Sequence, residues 1–290
     1  MKMYHDQAAN LRQTMQRLKI KKHAKTIAVV SGKGGVGKSN FTINFALKLI
    51  EQNKKVLIID LDIGMGNVDI LLGLQAKQSI VEMYENHLSI RDIIEIGPND
   101  IAYISAGSGL STVFNMDEAK LNYFLDQFNE ITSDYDYIFF DMGAGASNDS
   151  LAYILAADEC ILVTTPEPTS MMDGYAMIKH IHYKNEQLPF YLLINRAQSV
   201  NEGKQIIKKL QRVTQHFLGK EITPLGVLPD DKKVSKAVVS QVPFVLYDSS
   251  AHVSRAIEQI VKQYLTDTIN VDQKAPSSFI SKLKKFIKER

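Results

Sequence analysis

The residues with the clearest chemical pattern lie between Ser31 and Ser39, directly after a short apolar run. They satisfy the pattern G-x-x-x-x-G-K-S, in which glycines let successive backbone N–H groups turn toward a phosphate chain. The helix expected to follow adds its positive N-terminal dipole at the same place. Lys38 is expected to reach the β- and γ-phosphates, and the Ser39 hydroxyl to bind Mg²⁺. The sequence therefore predicts a nucleotide site built by Gly34, Gly35, Val36, Gly37, Lys38, Ser39 and Asn40.

Carboxylates follow two further apolar runs, as a Mg²⁺ site requires. Asp60 and Asp62 stand two residues apart on an extended segment, so both can point the same way at the end of a strand. Asp141 ends the run at 137–140, a pattern typical of the carboxylate that holds Mg²⁺ beside a nucleotide. The alternative for each is a turn residue that caps the strand end. We predict a metal site made by Ser39, Asp60 and Asp141.

Short strands and intervening helices must position these side chains. Most of the apolar runs are continuous, which indicates strands covered on both faces; they lie at 27–30, 56–59, 101–104, 137–140, 160–163, 191–194 and 225–228. Helical periodicity occupies gaps between them, for example at 41–52, 116–131 and 201–218. This alternation predicts a doubly wound α/β fold, with a mostly parallel sheet and helices on both faces. Ligands then bind beyond the carboxyl ends of the strands.

The second lysine of the glycine-rich loop is unusual. The run K-G-G-V-G-K-S at 33–39 resembles the deviant Walker A loop of the MinD/ParA group of P-loop ATPases. That resemblance implies a nucleotide-sandwich homodimer in which Lys33 reaches the partner's phosphates. Lys33 is then a catalytic residue that acts in trans, while Lys38 acts on the nucleotide of its own chain. The alternative is an ordinary solvated loop lysine.

Two later segments resemble the switches of the same group. The segment at 60–67 resembles switch I, D-x-D-x-G-x-x-N, which implies that Asp62 positions the attacking water. The resemblance also places Asn67 near the opposing nucleotide. The segment at 141–145 resembles switch II, D-x-P-A-G, but Gly143 stands where proline is usual. The metal role of Asp141 is unaffected by this departure.

The identity of the base is predicted from two loops. The segment at 195–198 lacks the acid of the guanine-specific N-K-x-D pattern, and the segment at 226–231 resembles the family segment that lies along adenine. ATP with Mg²⁺ is therefore the expected ligand, with adenine contacts from Asn195, Arg196, Pro229 and Asp230. The loop at 165–168 resembles a family loop near the dimer interface, to which we assign no chemistry.

The charge is distributed unevenly along the 290 residues. The formal net charge is +2, yet residues 1–25 carry +6, residues 26–273 carry −9 and residues 274–290 carry +5. An acidic body is a poor surface for nucleic acid, so no sequence-specific nucleic-acid partner is expected. The single cysteine, Cys160, excludes a disulfide framework and an iron–sulfur cluster held by the chain's own cysteines. The N-terminus lacks a secretory h-region and no run reaches the roughly 20 apolar residues of a membrane span, so a cytoplasmic location is expected.

The basic C-terminal segment predicts an amphipathic helix. Its apolar residues form one helical stripe and lysines fill most of the remaining face; the stripe consists of Phe279, Ile280, Leu283, Phe286 and Ile287. The fourteen residues at 277–290 make only about 21 Å of helix, which is too short to cross a bilayer but suits an anionic membrane surface. MinD-type proteins have a similar terminal anchor. The alternative is a helix docked on the body, and both apply if it is docked in the monomer and released on dimerisation.

The N-terminal arm has its own signature. The heptapeptide D-Q-A-x-x-L-R at 6–12 resembles the N-terminal activator of the FlhG (FleN or YlxH) family, MinD-like ATPases of flagellar placement. That resemblance implies stimulation of an FlhF-type GTPase of the signal-recognition-particle class through Asp6, Gln7, Ala8, Leu11 and Arg12. The alternative is a solvated basic arm.

Together these patterns predict four segments: an activator arm at 1–25, an ATPase domain at 26–265, a linker at 266–278 and a membrane-targeting helix at 279–290. The leading hypothesis is a slow, dimerising ATPase that cycles on and off the inner face of the cell membrane. It would control flagellar number or position, with contacts to flagellar C-ring proteins. The alternatives are a cell-division or plasmid-partition ATPase, a metabolic enzyme on the same fold, and a scaffold whose ATP site is only structural.

Overall fold

The computed structural model describes residues 23–107, 118–145, 148–269 and 279–288. Within these ranges eight strands form one sheet: β1 (Lys25–Val30), β2 (Val56–Leu61), β3 (Glu95–Ile96), β4 (Ala102–Ile104), β5 (Tyr137–Met142), β6 (Glu159–Thr164), β7 (Phe190–Ala197) and β8 (Thr223–Pro229). Their order across the sheet is β3-β4-β2-β5-β1-β6-β7-β8. Only the pairing of β3 with β4 is antiparallel among these strands.

Helices connect the strands and cover both faces of the sheet. The α-helices of the described ranges are α1 (Lys38–Ile50), α2 (Val68–Leu71), α3 (Ile80–Asn86), α4 (Glu118–Ile131), α5 (Asn148–Ala156), α6 (Pro168–Lys184), α7 (Val200–Leu218), α8 (Lys232–Val239), α9 (Phe244–Tyr247), α10 (His252–Ile269) and α11 (Phe279–Lys288). Two short 3₁₀ helices, Ile90–Ile93 and Pro98–Asp100, precede β3 and β4.

The continuous apolar runs are strands buried on both faces. In β1, Ile27 and Val29 pack into a core that includes residues of α1 and α10, whereas Ala28 and Val30 pack into a second core that includes residues of α4, α5 and α6. Successive side chains of a strand point to opposite faces, so one apolar run contributes to both cores. The predicted doubly wound, mostly parallel fold is confirmed.

Some boundaries differ from the sequence-based ones. Strand β3 was not predicted, because a two-residue edge strand has too few side chains to show periodicity. Helix α10 extends to Ile269, four residues into the range predicted as linker. The activator residues Asp6, Gln7, Ala8, Leu11 and Arg12, and the linker from residue 270 to 278, lie outside the described residues.

The C-terminal helix α11 is docked on the body. Phe279 and Leu283 are buried, and Ile280 and Phe286 pack partly buried against the same core. The Phe279 ring lies 4.9 Å, between centroids, from both Phe128 of α4 and Phe140 of β5. The structure therefore covers the stripe predicted to meet a membrane, because these side chains find an apolar groove within the chain. Ile287 lies in the helix, but its side chain is not described.

Lys282 fixes the same helix from its polar side. Its Nζ donates to Asp158 Oδ1 at 2.7 Å, in the turn between α5 and β6. In the described ranges we find no helix with both the length and the apolar character needed to cross a bilayer.

Candidate nucleotide site

The glycine-rich loop joins β1 to α1 at the carboxyl end of the sheet. Gly35 and Gly37 have φ values of +75° and +91°, the left-handed region that favours glycine. A Cβ atom at Gly37 would also lie 2.4 Å from Asn195 Nδ2. That amide nitrogen donates to the Val36 carbonyl oxygen at 2.8 Å. Asn195, predicted beside adenine, thus also ties the loop to β7.

Lys38 and Asp141 form the buried centre of the site. Lys38 Nζ donates to Asp141 Oδ1 at 2.8 Å, and their side chains are only 8% and 1% exposed. The Thr42 hydroxyl donates to the same oxygen at 3.3 Å. The other oxygen, Asp141 Oδ2, is buried and has no hydrogen-bond partner among the described residues. A buried acceptor without a partner fits a place for a cation or its water ligands.

Ser39 lies at the same centre, since Lys38 Nζ donates to its Oγ at 3.4 Å. Ser39 and Asp141 therefore supply oxygen atoms of the type that Mg²⁺ prefers, at the end of the phosphate loop. The structure brings together these two predicted metal ligands, one from α1 and one from β5.

Asp60 is engaged differently. Its Oδ1 accepts the backbone N–H of Asp62 at 3.0 Å, and its Oδ2 accepts those of Asn67 and Val68 at 3.0 and 3.3 Å. Burial, reinforced by the nearby charge of Asp141, raises the pKa of Asp60 to about 7. Asp60 therefore organises the loop from 61 to 68. Each carboxylate oxygen has a second lone pair, so the predicted metal role of Asp60 stays a prediction.

Asp62 lies one residue beyond β2 and is half-buried. Burial raises the pKa of its carboxyl group; the Lys38 charge opposes that shift and the Asp141 charge reinforces it. The carboxylate therefore lies within the electrostatic reach of the two buried groups. The Oδ1 of Asn67, in the same loop, is buried without a hydrogen-bond partner among the described residues.

Lys33 lies apart from the buried centre. Its Nζ donates to Glu167 Oε2 at 3.0 Å and to Thr169 Oγ1 at 3.4 Å. The Lys33 and Glu167 side chains are 45% and 62% exposed. One loop thus carries a lysine turned inward and a lysine at the surface. No chemistry was predicted for Glu167 from the sequence, because its contact with Lys33 spans 134 residues.

A cavity of about 560 Å³ opens beside the loop, and all four predicted adenine-side residues line it. Asn195 and Arg196 come from β7, and Pro229 and Asp230 from the end of β8, so parallel strands bring them to one edge. Gly37 and Asn40 line the side toward the phosphate loop. The cavity also has an apolar wall that was not predicted from the sequence, formed by Phe41, Leu228, Val234, Val238, Val239 and Phe244.

The sequence matches a family of known proteins over most of its length. Residues 22–265 match the ParA family model, described as NUBPL iron-transfer P-loop NTPase. This chain belongs to the ParA family. Iron transfer is not a property that its own cysteine supports, because Cys160 is buried in β6 and burial raises the pKa of its thiol.

Individual members of the ParA family resemble the chain closely. It is 36% identical to the antiactivator FleN of Pseudomonas aeruginosa over 215 residues, 74% of this chain and 77% of FleN. It is 29% identical to the flagellum site-determining protein YlxH of Helicobacter pylori over 289 residues, 97% of each chain. The septum site-determining protein MinD of Pyrococcus horikoshii, solved with Mg-ADP, shares the fold with a TM-score of 0.71 at 22% identity, covering 87% of this chain and 99% of that one.

Membership in the ParA family and the geometry of the site agree. The chain is an ATP-binding P-loop NTPase, and the family supports nucleotide and Mg²⁺ binding and ATPase activity in general terms. The resemblance to the MinD/ParA group and to its FleN and YlxH members, first indicated by short motifs, is confirmed over most of the chain.

Proposed function

We propose that this chain is a slow, dimer-forming switch ATPase that controls flagellar number or position. The observation that carries the proposal is that one lysine of the loop is buried and the other is exposed. Lys38 is buried against Asp141 and serves the chain's own nucleotide. Lys33 is at the surface, where it can meet a nucleotide held by a second copy. The flagellar role is supported by the similarity to FleN and YlxH.

Each residue has a stated task in this proposal. The loop N–H groups and Lys38 bind the phosphates, and Ser39 and Asp141 are the Mg²⁺ ligands. Bound Mg²⁺ would supply neutralising charge to the phosphate oxygens. Asp62 orients the attacking water, and Lys33 stabilises developing charge on the partner's nucleotide. Asn195, Arg196, Pro229 and Asp230 border the adenine.

Steady-state ATP turnover of a Lys33→Ala protein tests the trans assignment. We expect turnover to be lost while ATP binding persists, because Lys33 does not contact the buried centre. Lys262→Ala is the matched control, since Lys262 also forms an exposed pair with a glutamate, Glu258, on distant α10. Full turnover by Lys33→Ala would remove the assignment.

The membrane part of the proposal rests on α11. Its apolar face is covered by the body, so membrane binding requires the helix to leave its groove, and we propose that the ATP-bound dimer favours that departure. Sedimentation with anionic liposomes, with and without ATP, compares the full chain with one that ends at residue 273. The full chain should bind the liposomes only when ATP is present, and the shortened chain should not bind in either case. ATP-independent binding by both chains would contradict the cycle.

The arm at 1–25 distinguishes the flagellar role from the second candidate. We propose that it stimulates an FlhF-type GTPase through Asp6, Gln7, Ala8, Leu11 and Arg12. Full-length protein should raise GTP turnover of such a partner, and a Gln7→Ala variant should not, while its own ATP turnover stays unchanged. If wild-type protein has no effect, the favoured function becomes MinD-like division-site or ParA-like partition ATPase, which the similarity to MinD supports.

A further inference from the structure

Gly143 lies directly beside the side chain of Asp62. Strands β2 and β5 are paired in parallel, with Asp60 opposite Asp141 and Leu61 opposite Met142. Asp62 and Gly143 are the next residues beyond the ends of these two strands. A Cβ atom placed on Gly143 would lie 2.9 Å from Asp62 Oδ1 and 3.4 Å from its Cγ. The Asp62 carboxylate therefore occupies the space that a side chain at position 143 would fill.

Backbone conformation does not explain this glycine. Gly145, two residues later, has a φ of +82° and no atom within 4 Å of an added Cβ, so its requirement is conformational. Gly143 has no positive φ. A side chain is excluded there because the Asp62 carboxylate occupies the space. The two glycines of the same switch thus serve different needs.

The backbone of Asp62 is held from the other side. Its N–H donates to Asp60 Oδ1, and Asp60 also binds the backbone of Asn67 and Val68. This loop cannot move as a whole without breaking those hydrogen bonds. An added methyl group at position 143 would instead rotate the short Asp62 side chain, so the carboxylate would move while the fold persists.

We propose that Gly143 is a positioning residue for ATP hydrolysis: the absence of its side chain creates the place in which the Asp62 carboxylate is held. This inference rests on the proposed role of Asp62 in orienting water. In this chain, where Gly143 stands at the position usually held by proline, it assigns to switch II a steric control over the catalytic group of switch I. A displacement of that carboxylate by about 1 Å is large enough to change turnover by up to about a hundredfold.

The test is a double-mutant cycle on the full chain, with Gly143→Ala, Asp62→Ala and the combination. Turnover number and KM for Mg-ATP are measured for each. Gly143→Ala should lower the turnover number about tenfold to a hundredfold with KM within about twofold of wild type. In the Asp62→Ala background it should have no further effect, because no carboxylate is left to displace. Gly97→Ala adds the same methyl group between β3 and β4, where Ile101 Cγ2 would lie 3.0 Å away, and should change turnover by less than about twofold.

A second readout decides the case in which Asp62→Ala turns over too slowly to measure. The lifetime of the ATP-bound dimer, followed by light scattering after removal of free ATP, should increase in Gly143→Ala as in Asp62→Ala. Equal losses from Gly143→Ala in both backgrounds, or failure of Gly143→Ala to form the dimer, would overturn the inference. Wild-type turnover by Asp62→Ala would refute the proposed role of Asp62 itself, whatever Gly143→Ala does.

Discussion

Two lysine–aspartate pairs, one in the nucleotide site and one at the C-terminal helix, have nearly the same length and differ in their surroundings. Lys38 and Asp141 are 2.8 Å apart and almost fully buried. Lys282 and Asp158 are 2.7 Å apart, with side chains 24% and 21% exposed. Water replaces a lost partner easily at the second pair and not at the first. The first pair is therefore a fixed part of the site. The second is an ion pair that can be broken at a small cost in free energy.

The largest expected difference concerns stability. Lys38→Met leaves Asp141 buried without its cation, and should lower the free energy of unfolding by about 3–5 kcal/mol. Lys282→Met leaves Asp158 in contact with water and should cost less than about 1 kcal/mol. Urea unfolding of both variants without nucleotide measures the two costs. Equal costs would show that burial does not distinguish the pairs.

Burial in the nucleotide site should also make the stability of the protein depend on pH, through Asp60. The pKa of Asp60 in the folded protein is raised to about 7 from 3.8, so between these values the folded chain holds a proton that the unfolded chain has released. The free energy of unfolding without nucleotide and Mg²⁺ should therefore fall as pH rises through this window, by up to about 1.4 kcal/mol per pH unit. Asp60→Asn should remove that part of the slope. Urea unfolding at several pH values measures it, and an unchanged slope in Asp60→Asn would contradict the assignment.

The smallest expected effect is on liposome binding, when the Lys282–Asp158 ion pair is removed. Lys282→Ala and Lys285→Ala each remove one positive charge from α11, but only Lys282 is bonded to Asp158. Lys282→Ala should raise ATP-independent binding to anionic liposomes relative to Lys285→Ala, by up to about fivefold for a pair worth up to about 1 kcal/mol. Liposome sedimentation of the two variants measures the ratio. Equal binding would mean that the pair does not restrain α11.

The parts of the site that were predictable from the sequence are those with local patterns. The phosphate loop, Asp62 and Asp141 follow apolar strands, and the parallel sheet brings them to one edge because it aligns carboxyl ends. The four adenine-side residues were predicted from the missing N-K-x-D acid and from a family resemblance, and they line one cavity. Long-range contacts left no local signal: the Lys33–Glu167 pair and the engagement of Asp60 by three backbone N–H groups depend on how loops return to the sheet.

The C-terminal helix shows a different limit of sequence reasoning. An apolar stripe with lysines on the other face suits a lipid surface and an apolar groove in a protein equally well. Only the aromatic rings of Phe128, Phe140 and Tyr153 around Phe279 reveal that the chain contains such a groove. The three residues come from three separate elements, so no stretch of sequence indicates the groove.

Asp158 has one more consequence. Its Oδ1 binds Lys282, while its Oδ2 accepts both the backbone N–H and the hydroxyl of Thr26, near the start of β1. The first and last described segments therefore meet at one carboxylate, although they stand at opposite ends of the sequence. We expect a change at Asp158 to disturb the start of β1 and the docking of α11 together, because one carboxylate serves both.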